Sequence, residues 1–129
     1  MEIKFPTPQE IEKNTRVDIN GSINVVTTKE LHYNIGGAVY AVPQEFKTDG
    51  ASIPTFALAL MSWVRGYSSD RFSQEWIAAA IIHDYFRRTR IVSDRLGDAV
   101  FYDILKQTTD KPTAFIMWLS VRVYSLIFR

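Results

Sequence analysis

The first half of the chain alternates apolar and polar positions in the manner of β-strands. Residues 17–27 alternate in this way, and two further apolar runs at residues 31–35 and 38–42 flank Gly36-Gly37. A glycine pair supplies the positive φ angles that a tight hairpin turn requires. We therefore predict a small antiparallel sheet over about residues 15–48.

The second half changes to helical periodicity. Four segments are predicted as helices: residues 55–64, 73–88, 94–107 and 112–129. Ser73 is the predicted N-cap of the second segment, and Ser93 or Asp94 that of the third. Strands followed by helices predict an α+β fold in which the helices pack on one face of the sheet. We expect a single domain over residues 1–129, with the helical part at 54–129.

Composition narrows the class of protein without identifying it. The chain has 129 residues, of which 47% are apolar and 22% charged, the proportions of a folded globular domain. A net charge of +1 gives no electrostatic reason to expect nucleic-acid binding. Because there is no cysteine, disulfides and thiolate metal sites are excluded. We expect neither a signal peptide nor a transmembrane segment, since the most apolar stretch is short and carries Arg122.

Ionisable side chains occupy positions where the helical pattern calls for apolar ones. The segment 73–88 is apolar on every side, so His83 and Asp84 cannot both reach solvent. Asp98 lies inside the apolar stripe of the third helix, and Arg122 points into the apolar face of the last. An isolated buried charge costs several kcal/mol. We therefore expect these side chains to meet in the interior.

Asp49 is a further candidate, at the junction between the predicted sheet and helices. Gly50 follows it, and an Asp-Gly pair favours a turn. Glycine also permits a close backbone approach that a side chain would block. Since clefts commonly form at such junctions, Asp49 is a candidate site residue.

Two interpretations of these residues stay open. In one, the carboxylates bind arginines such as Arg87 and Arg122, and the network only fixes the fold. In the other, His83, Asp98 and Asp49 bind a divalent cation, Zn, Mn or Mg, which activates a water for hydrolysis. Neighbouring helical residues diverge by about 100°, so Asp84 would act as base or orient a ligand. Asp84 and Asp49 are then the candidate catalytic residues.

Three phrases resemble a family of small proteins of unknown function from tailed phages and prophages. They are FKTDGASIP at residues 46–54, AAIIHDY at residues 79–85 and RLGDAVF at residues 95–101. The resemblance implies a phage or prophage origin and a location in the host cytoplasm or the virion. It also picks out the aspartates and the histidine already named. The family usually has a basic residue after the proline, where this chain has Thr55.

The resemblance supplies no reaction, so whether the protein is an enzyme is left open. A metal-dependent hydrolase would act on a cell-wall or phosphoester substrate. The alternative is a non-enzymatic virion or host-interaction module, whose partner is a phage or host protein or a cell-wall component. In that case we expect binding to involve exposed aromatic residues around Tyr67 or Trp63.

Overall fold

The computed structural model describes residues 1–20, 22–50 and 53–128, and in these residues the protein is an α+β structure. The strands are β1 (Ile3–Lys4), β2 (Thr15–Asn20), β3 (Ser22–Thr27), β4 (Leu31–Ile35), β5 (Ala38–Val42) and β6 (Lys47–Thr48). The helices are α1 (Pro8–Lys13), α2 (Thr55–Arg65), α3 (Ile77–Thr89), α4 (Asp94–Thr108) and α5 (Lys111–Phe128). The predicted fold class is confirmed.

The strands form two antiparallel sheets of three strands each, whereas the sequence predicted one sheet. Their orders are β1-β4-β5 and β2-β3-β6. The chain makes two hairpins, and each gains a two-residue third strand from elsewhere. In the first sheet Ile3 pairs with Ile35, and in the second Val25 pairs with Thr48. Strands as short as β1 and β6 have no detectable alternation, so the pattern did not predict them.

The β4–β5 hairpin turns as the glycine pair predicts, with φ of 59° at Gly36 and 91° at Gly37. The hairpin is tied to the helices by Tyr33, whose hydroxyl donates to the carbonyl oxygen of Ala78 over 2.7 Å. Tyr33 is fully buried, and burial raises its pKa far above the ordinary value. The first sheet is therefore anchored to α3.

Helix α1 was not predicted, although its start follows a known sequence signature. The Thr7 side chain accepts from the Glu10 N–H over 3.1 Å, and the Glu10 carboxylate accepts from the Thr7 N–H. This reciprocal capping box closes the first turn. Ile11 is the buried residue of this six-residue helix. Because one apolar position shows no periodicity, the sequence pattern did not predict the helix.

Ser73 does not cap a helix, which corrects the predicted start of α3. The N-cap is Trp76, which makes no side-chain cap hydrogen bond. Residues 73–76 form a turn in which the Ser73 carbonyl accepts from the N–H groups of Trp76 and Ile77. The fully buried indole of Trp76 donates to the carbonyl oxygen of Ser68 over 3.0 Å. Packing of this indole, rather than local capping preference, sets where α3 begins.

The predicted N-cap Ser93 of α4 is confirmed. The Ser93 hydroxyl caps α4 by accepting from the Leu96 N–H over 3.1 Å.

Helix α3 is buried along most of its length and packs against α4, which in turn packs against α5. Among the helices described, none is long and apolar enough to cross a bilayer.

Candidate functional site

Five side chains from three helices meet in the interior, and we refer to them as the ion network. They are His83 and Arg87 of α3, Asp98 of α4, and Arg122 and Ser125 of α5. His83 and Asp98 are fully buried, and Arg87 is nearly so. The expectation that His83, Asp98 and Arg122 lie together agrees with these contacts.

Asp98 is the centre of the network because both of its carboxylate oxygens are engaged. Its Oδ1 lies 2.6 Å from Nε2 of His83 and 3.2 Å from Nη2 of Arg87. Its Oδ2 accepts from Nη1 of Arg122 over 3.0 Å. Arg87 Nη2 also donates to the Ser125 hydroxyl over 2.7 Å. Two guanidinium groups thus compensate one buried carboxylate.

The contact between His83 and Asp98 fixes the tautomer of the imidazole. A separation of 2.6 Å from an ionised carboxylate requires that Nε2 carries the proton and donates it. Arg87 Nε, 3.3 Å from the same nitrogen, is then in packing contact only. Nδ1 is left with the lone pair, and it is buried without a hydrogen-bond partner in the part of the chain that the structure describes.

The charge states of the pair follow from burial and from the arginines. Burial lowers the pKa of His83 below its ordinary value and outweighs the stabilising charge of Asp98. Burial alone would raise the pKa of Asp98. However, hydrogen bonds from His83 and Arg122, together with the charge of Arg87, hold that pKa below its usual value. The network therefore contains a neutral imidazole and an ionised carboxylate.

Asp84 lies outside the ion network although it is the next residue in the sequence. Its Oδ2 is 3.1 Å from Nη2 of Arg88, an ion pair whose geometry does not make a well-directed hydrogen bond. Arg88 donates to the carbonyl oxygen of Lys47 and lies over the Phe46 ring, 5.0 Å from its centroid. Through Arg88, Asp84 links α3 to the segment that enters β6. Its proposed role as a base stays a prediction.

Asp49 lines an open groove of about 1060 Å³ where the second sheet meets the helices. We call it the junction groove. The residues that line it are Pro8, Ile11 and Glu12 of α1, Thr15, Arg16 and Val17 of β2, Ile23 and Val25 of β3, Asp49, Ser69, Asp70, Arg71, Phe72, Gln74 and Ile77. A cleft at the sheet–helix junction was expected, but its residues from α1 and the hairpin were not.

Arg71 packs onto the turn after Asp49 and holds it in place. Its guanidinium donates to the Thr55 hydroxyl over 2.9 Å and to the Gly50 carbonyl oxygen over 3.4 Å. Gly50 has a φ of +68°, and a Cβ added there would lie 2.8 Å from Cδ of Arg71. The backbone conformation therefore favours glycine, and a Cβ at this position would also have to displace the Arg71 side chain. Residues 51 and 52 of the same phrase lie outside the described residues.

The residues predicted to bind a metal are divided between the ion network and the groove. Within the described ranges, no group of three or more His, Asp or Glu side chains is arranged to hold a metal ion. Asp49 lines the groove, while both oxygens of Asp98 are occupied by His83 and two arginines. The geometry therefore gives the metal no support, and a metal bound by His83, Asp98 and Asp49 stays a prediction.

Some residues that matter were not singled out from the sequence. Ser125 follows Arg122 by three residues, a spacing that places both on one helix face, and this was the available signal. Arg71 offered no signal in the sequence, because its contact with Gly50 joins residues 21 positions apart.

The two aromatic residues expected on the surface differ in exposure. Trp63 is 86% exposed as expected, whereas Tyr67 is half-buried and donates its hydroxyl to Asp110.

Comparison with known proteins places the chain in a family. The family model described as "Protein of unknown function (DUF1353)" matches residues 25–121. The "Uncharacterized protein y4iH" of Sinorhizobium fredii (strain NBRC 101917 / NGR234) is 29% identical over 96 residues, which cover 72% of this chain. The matched region is 36% of that relative, so the chain corresponds to about a third of its length. No solved structure matches. The chain belongs to the DUF1353 family of proteins of unknown function.

Proposed function

We propose that the chain is a non-enzymatic binding module that holds an extended segment of a partner protein in the junction groove. The ion network is a poor candidate for catalysis, because His83 and Asp98 are each 0% exposed. Its charged groups bind one another rather than facing a cleft. This supports the structural interpretation of the network. As the resemblance implies, the proposed partner is a phage or host protein, met in the host cytoplasm or the virion.

The backbone of β2 supports strand addition in the groove. β2 is the outer strand in the order β2-β3-β6, and no strand in the described ranges pairs with its other side. An outer strand presents free N–H and C=O groups to an extended peptide. Thr15, Arg16 and Val17 of this strand line the groove. A peptide lying there would hydrogen-bond along β2.

The side chains of the groove suit a polypeptide rather than a small charged ligand. Val17 and Ile23 are 64% and 55% exposed, which is unusual for apolar residues on the sheet face that also carries the buried Val25. The groove also contains carboxylates and guanidinium groups, Asp49 and Arg71 among them. Exposed Val17 and Ile23 beside an unpaired strand edge are the observation that carries the proposal.

Peptide selection tests this function directly. We would select 12-residue peptides from a displayed random library against the purified protein and measure their affinities by calorimetry. We expect binders with alternating apolar residues, and Val17→Asp or Ile23→Asp should weaken them at least about tenfold. Val39 is the matched control, since it is also 64% exposed and lies on β5, the outer strand of the other sheet.

Two results would contradict the binding module. Selected peptides whose affinity depends on Val39 as strongly as on Val17 would place binding elsewhere. Near-stoichiometric Zn, Mn or Mg in protein purified without chelator, lost in Asp98→Asn, would favour the metal-dependent hydrolase instead. Elemental analysis of the wild-type protein and the variant decides that second question.

A further inference from the structure

Helix α5 has an apolar side that faces solvent in addition to the one that faces the core. Toward the core it presents Ala114, Met117 and Val121, all of which are buried. Away from these residues, Ile116, Leu119, Val123 and Leu126 follow one another at intervals of three, four and three residues, and Ile116 at the start of the row is partly buried against the core. Leu119, Val123 and Leu126 are 45%, 43% and 73% exposed. We refer to these four residues as the α5 seam.

We infer that a second copy of this chain covers the α5 seam, with the two α5 helices packed in parallel about a two-fold axis. Intervals of three and four residues are the repeat of a coiled coil, in which such side chains interlock with a partner helix. Ile116 and Val123 fall at the a positions and Leu119 and Leu126 at the d positions. Among parallel coiled coils, β-branched residues at a with leucine at d favour two strands over higher oligomers.

The charges around the seam also favour a second copy. Helix α5 contains no Asp or Glu, and Lys111 and Arg122 are its cations within residues 111–128. Arg122 flanks the seam, but its guanidinium is bound to Asp98 over 3.0 Å inside the same chain. Within residues 111–128, self-association therefore brings no unpaired like charges together along the seam. An anionic membrane surface, by contrast, would be recognised by unpaired cations.

Exposed apolar side chains on two neighbouring helices provide area for a dimer contact. A stable interface buries roughly 800 Å² on each partner. Helix α2 contacts α5 and adds its own outward residues, Phe56, Leu60, Trp63 and Val64. Trp63 alone is 86% exposed, and one aromatic side chain buries roughly 150–250 Å². The inferred contact therefore includes the outer face of α2 as well as the α5 seam.

Sedimentation velocity over a range of concentrations tests the dimer. We expect the wild-type protein to dimerise and the double variant Leu119→Glu, Leu126→Glu to lower the association constant at least tenfold. Because both leucines are exposed, circular dichroism should show an unchanged fold. Ile19→Glu is the matched control, since Ile19 on β2 is 74% exposed and lies outside the seam, and it should leave the dimer intact.

The absence of cysteine from the chain allows the orientation to be tested separately. In a parallel dimer Leu126 faces its own copy, so Leu126→Cys should form an intermolecular disulfide under mild oxidation. Ile19→Cys should form none. A disulfide at position 126 that also preserves the dimer in dilute solution is the expected result.

Several outcomes would overturn the inference. Wild-type protein that stays monomeric up to millimolar concentration excludes the dimer. A dimer unaffected by the two glutamates places the interface on another face, and failure of Leu126→Cys to cross-link excludes the parallel arrangement. Monomeric protein that floats with phosphatidylcholine–phosphatidylglycerol vesicles would assign the seam to a membrane. None of these results bears on peptide binding in the junction groove, whose residues are different.

Discussion

The ion network and the junction groove are opposite solutions for placing polar and apolar side chains. In the network, Asp98 and Arg87 are buried, and both carboxylate oxygens of Asp98 have a partner. In the groove, apolar side chains such as Val17 and Ile23 are left open to solvent. A polar residue within an apolar sequence pattern therefore indicates that the residue is buried. An apolar residue exposed on a sheet face is a stronger indication of a binding surface than a buried polar residue is.

The largest expected effect is the loss of the charge at the centre of the network. Asp98→Asn keeps the volume of the side chain but leaves the buried Arg87 and the partly buried Arg122 without a counter-charge. Removing one partner of a buried ion pair costs about 3–5 kcal/mol. We expect the free energy of unfolding, measured by urea denaturation, to fall by that amount.

Asp84→Asn is the control for this substitution. Asp84 pairs with Arg88, and the side chains of the two residues are 14% and 48% exposed, so we expect a smaller loss than for Asp98→Asn because one partner of this pair reaches solvent. Equal losses for the two variants would mean that the ion network is not energetically distinct from an ion pair with one solvent-exposed partner. The comparison between the two regions would then fail.

A smaller effect is expected at the edge of the groove. Gly50→Ala places a Cβ at a φ of +68° and 2.8 Å from Cδ of Arg71. We expect a loss of about 1–3 kcal/mol in the free energy of unfolding. Gly36→Ala separates the two causes, because Gly36 has a φ of +59° with nothing within 4 Å of the added Cβ.

Truncating Arg71 completes this test. If the close contact contributes, Gly50→Ala should cost less in an Arg71→Ala background than in the wild type. A cost at Gly50 no larger than at Gly36, with or without Arg71, would show that Arg71 does not constrain the turn. The groove would then be formed without this contact.

The sequence predicted those parts of the fold that depend on local pattern. Alternation located β2 to β5, and the glycine pair located a hairpin turn with positive φ at Gly36 and Gly37. It did not predict two sheets, because their third strands are two residues long and pair across long stretches of chain. Ser73 failed as a cap because the burial of Trp76, a tertiary effect, fixed the start of α3.

The candidate site was predictable to a similar extent. Helical periodicity placed His83 and Asp98 in the interior, where they are. Periodicity says which side of a helix a residue occupies, but not which partner it meets. It indicated that Asp84 and His83 diverge, whereas the separation of Asp49 from His83 could not be read from it. The groove combines α1, β2 and residues 69–74, and no local pattern connects segments so distant in sequence.

The smallest expected effect is a dependence of stability on pH that belongs to His83. Its pKa in the folded protein lies below the ordinary value of 6.5, because burial disfavours the charged imidazole. Between the folded and the ordinary pKa the unfolded chain binds more protons, so stability falls as the pH drops below about 6.5.

Urea denaturation at intervals from pH 7.5 to pH 5 should show this slope in the wild type and a shallower one in His83→Gln. The second histidine of the chain provides the comparison variant His32→Gln, because His32 is exposed beside Glu30 and lies outside the ion network. A slope that disappears in His32→Gln and persists in His83→Gln would mean that His83 is not held neutral by its buried surroundings.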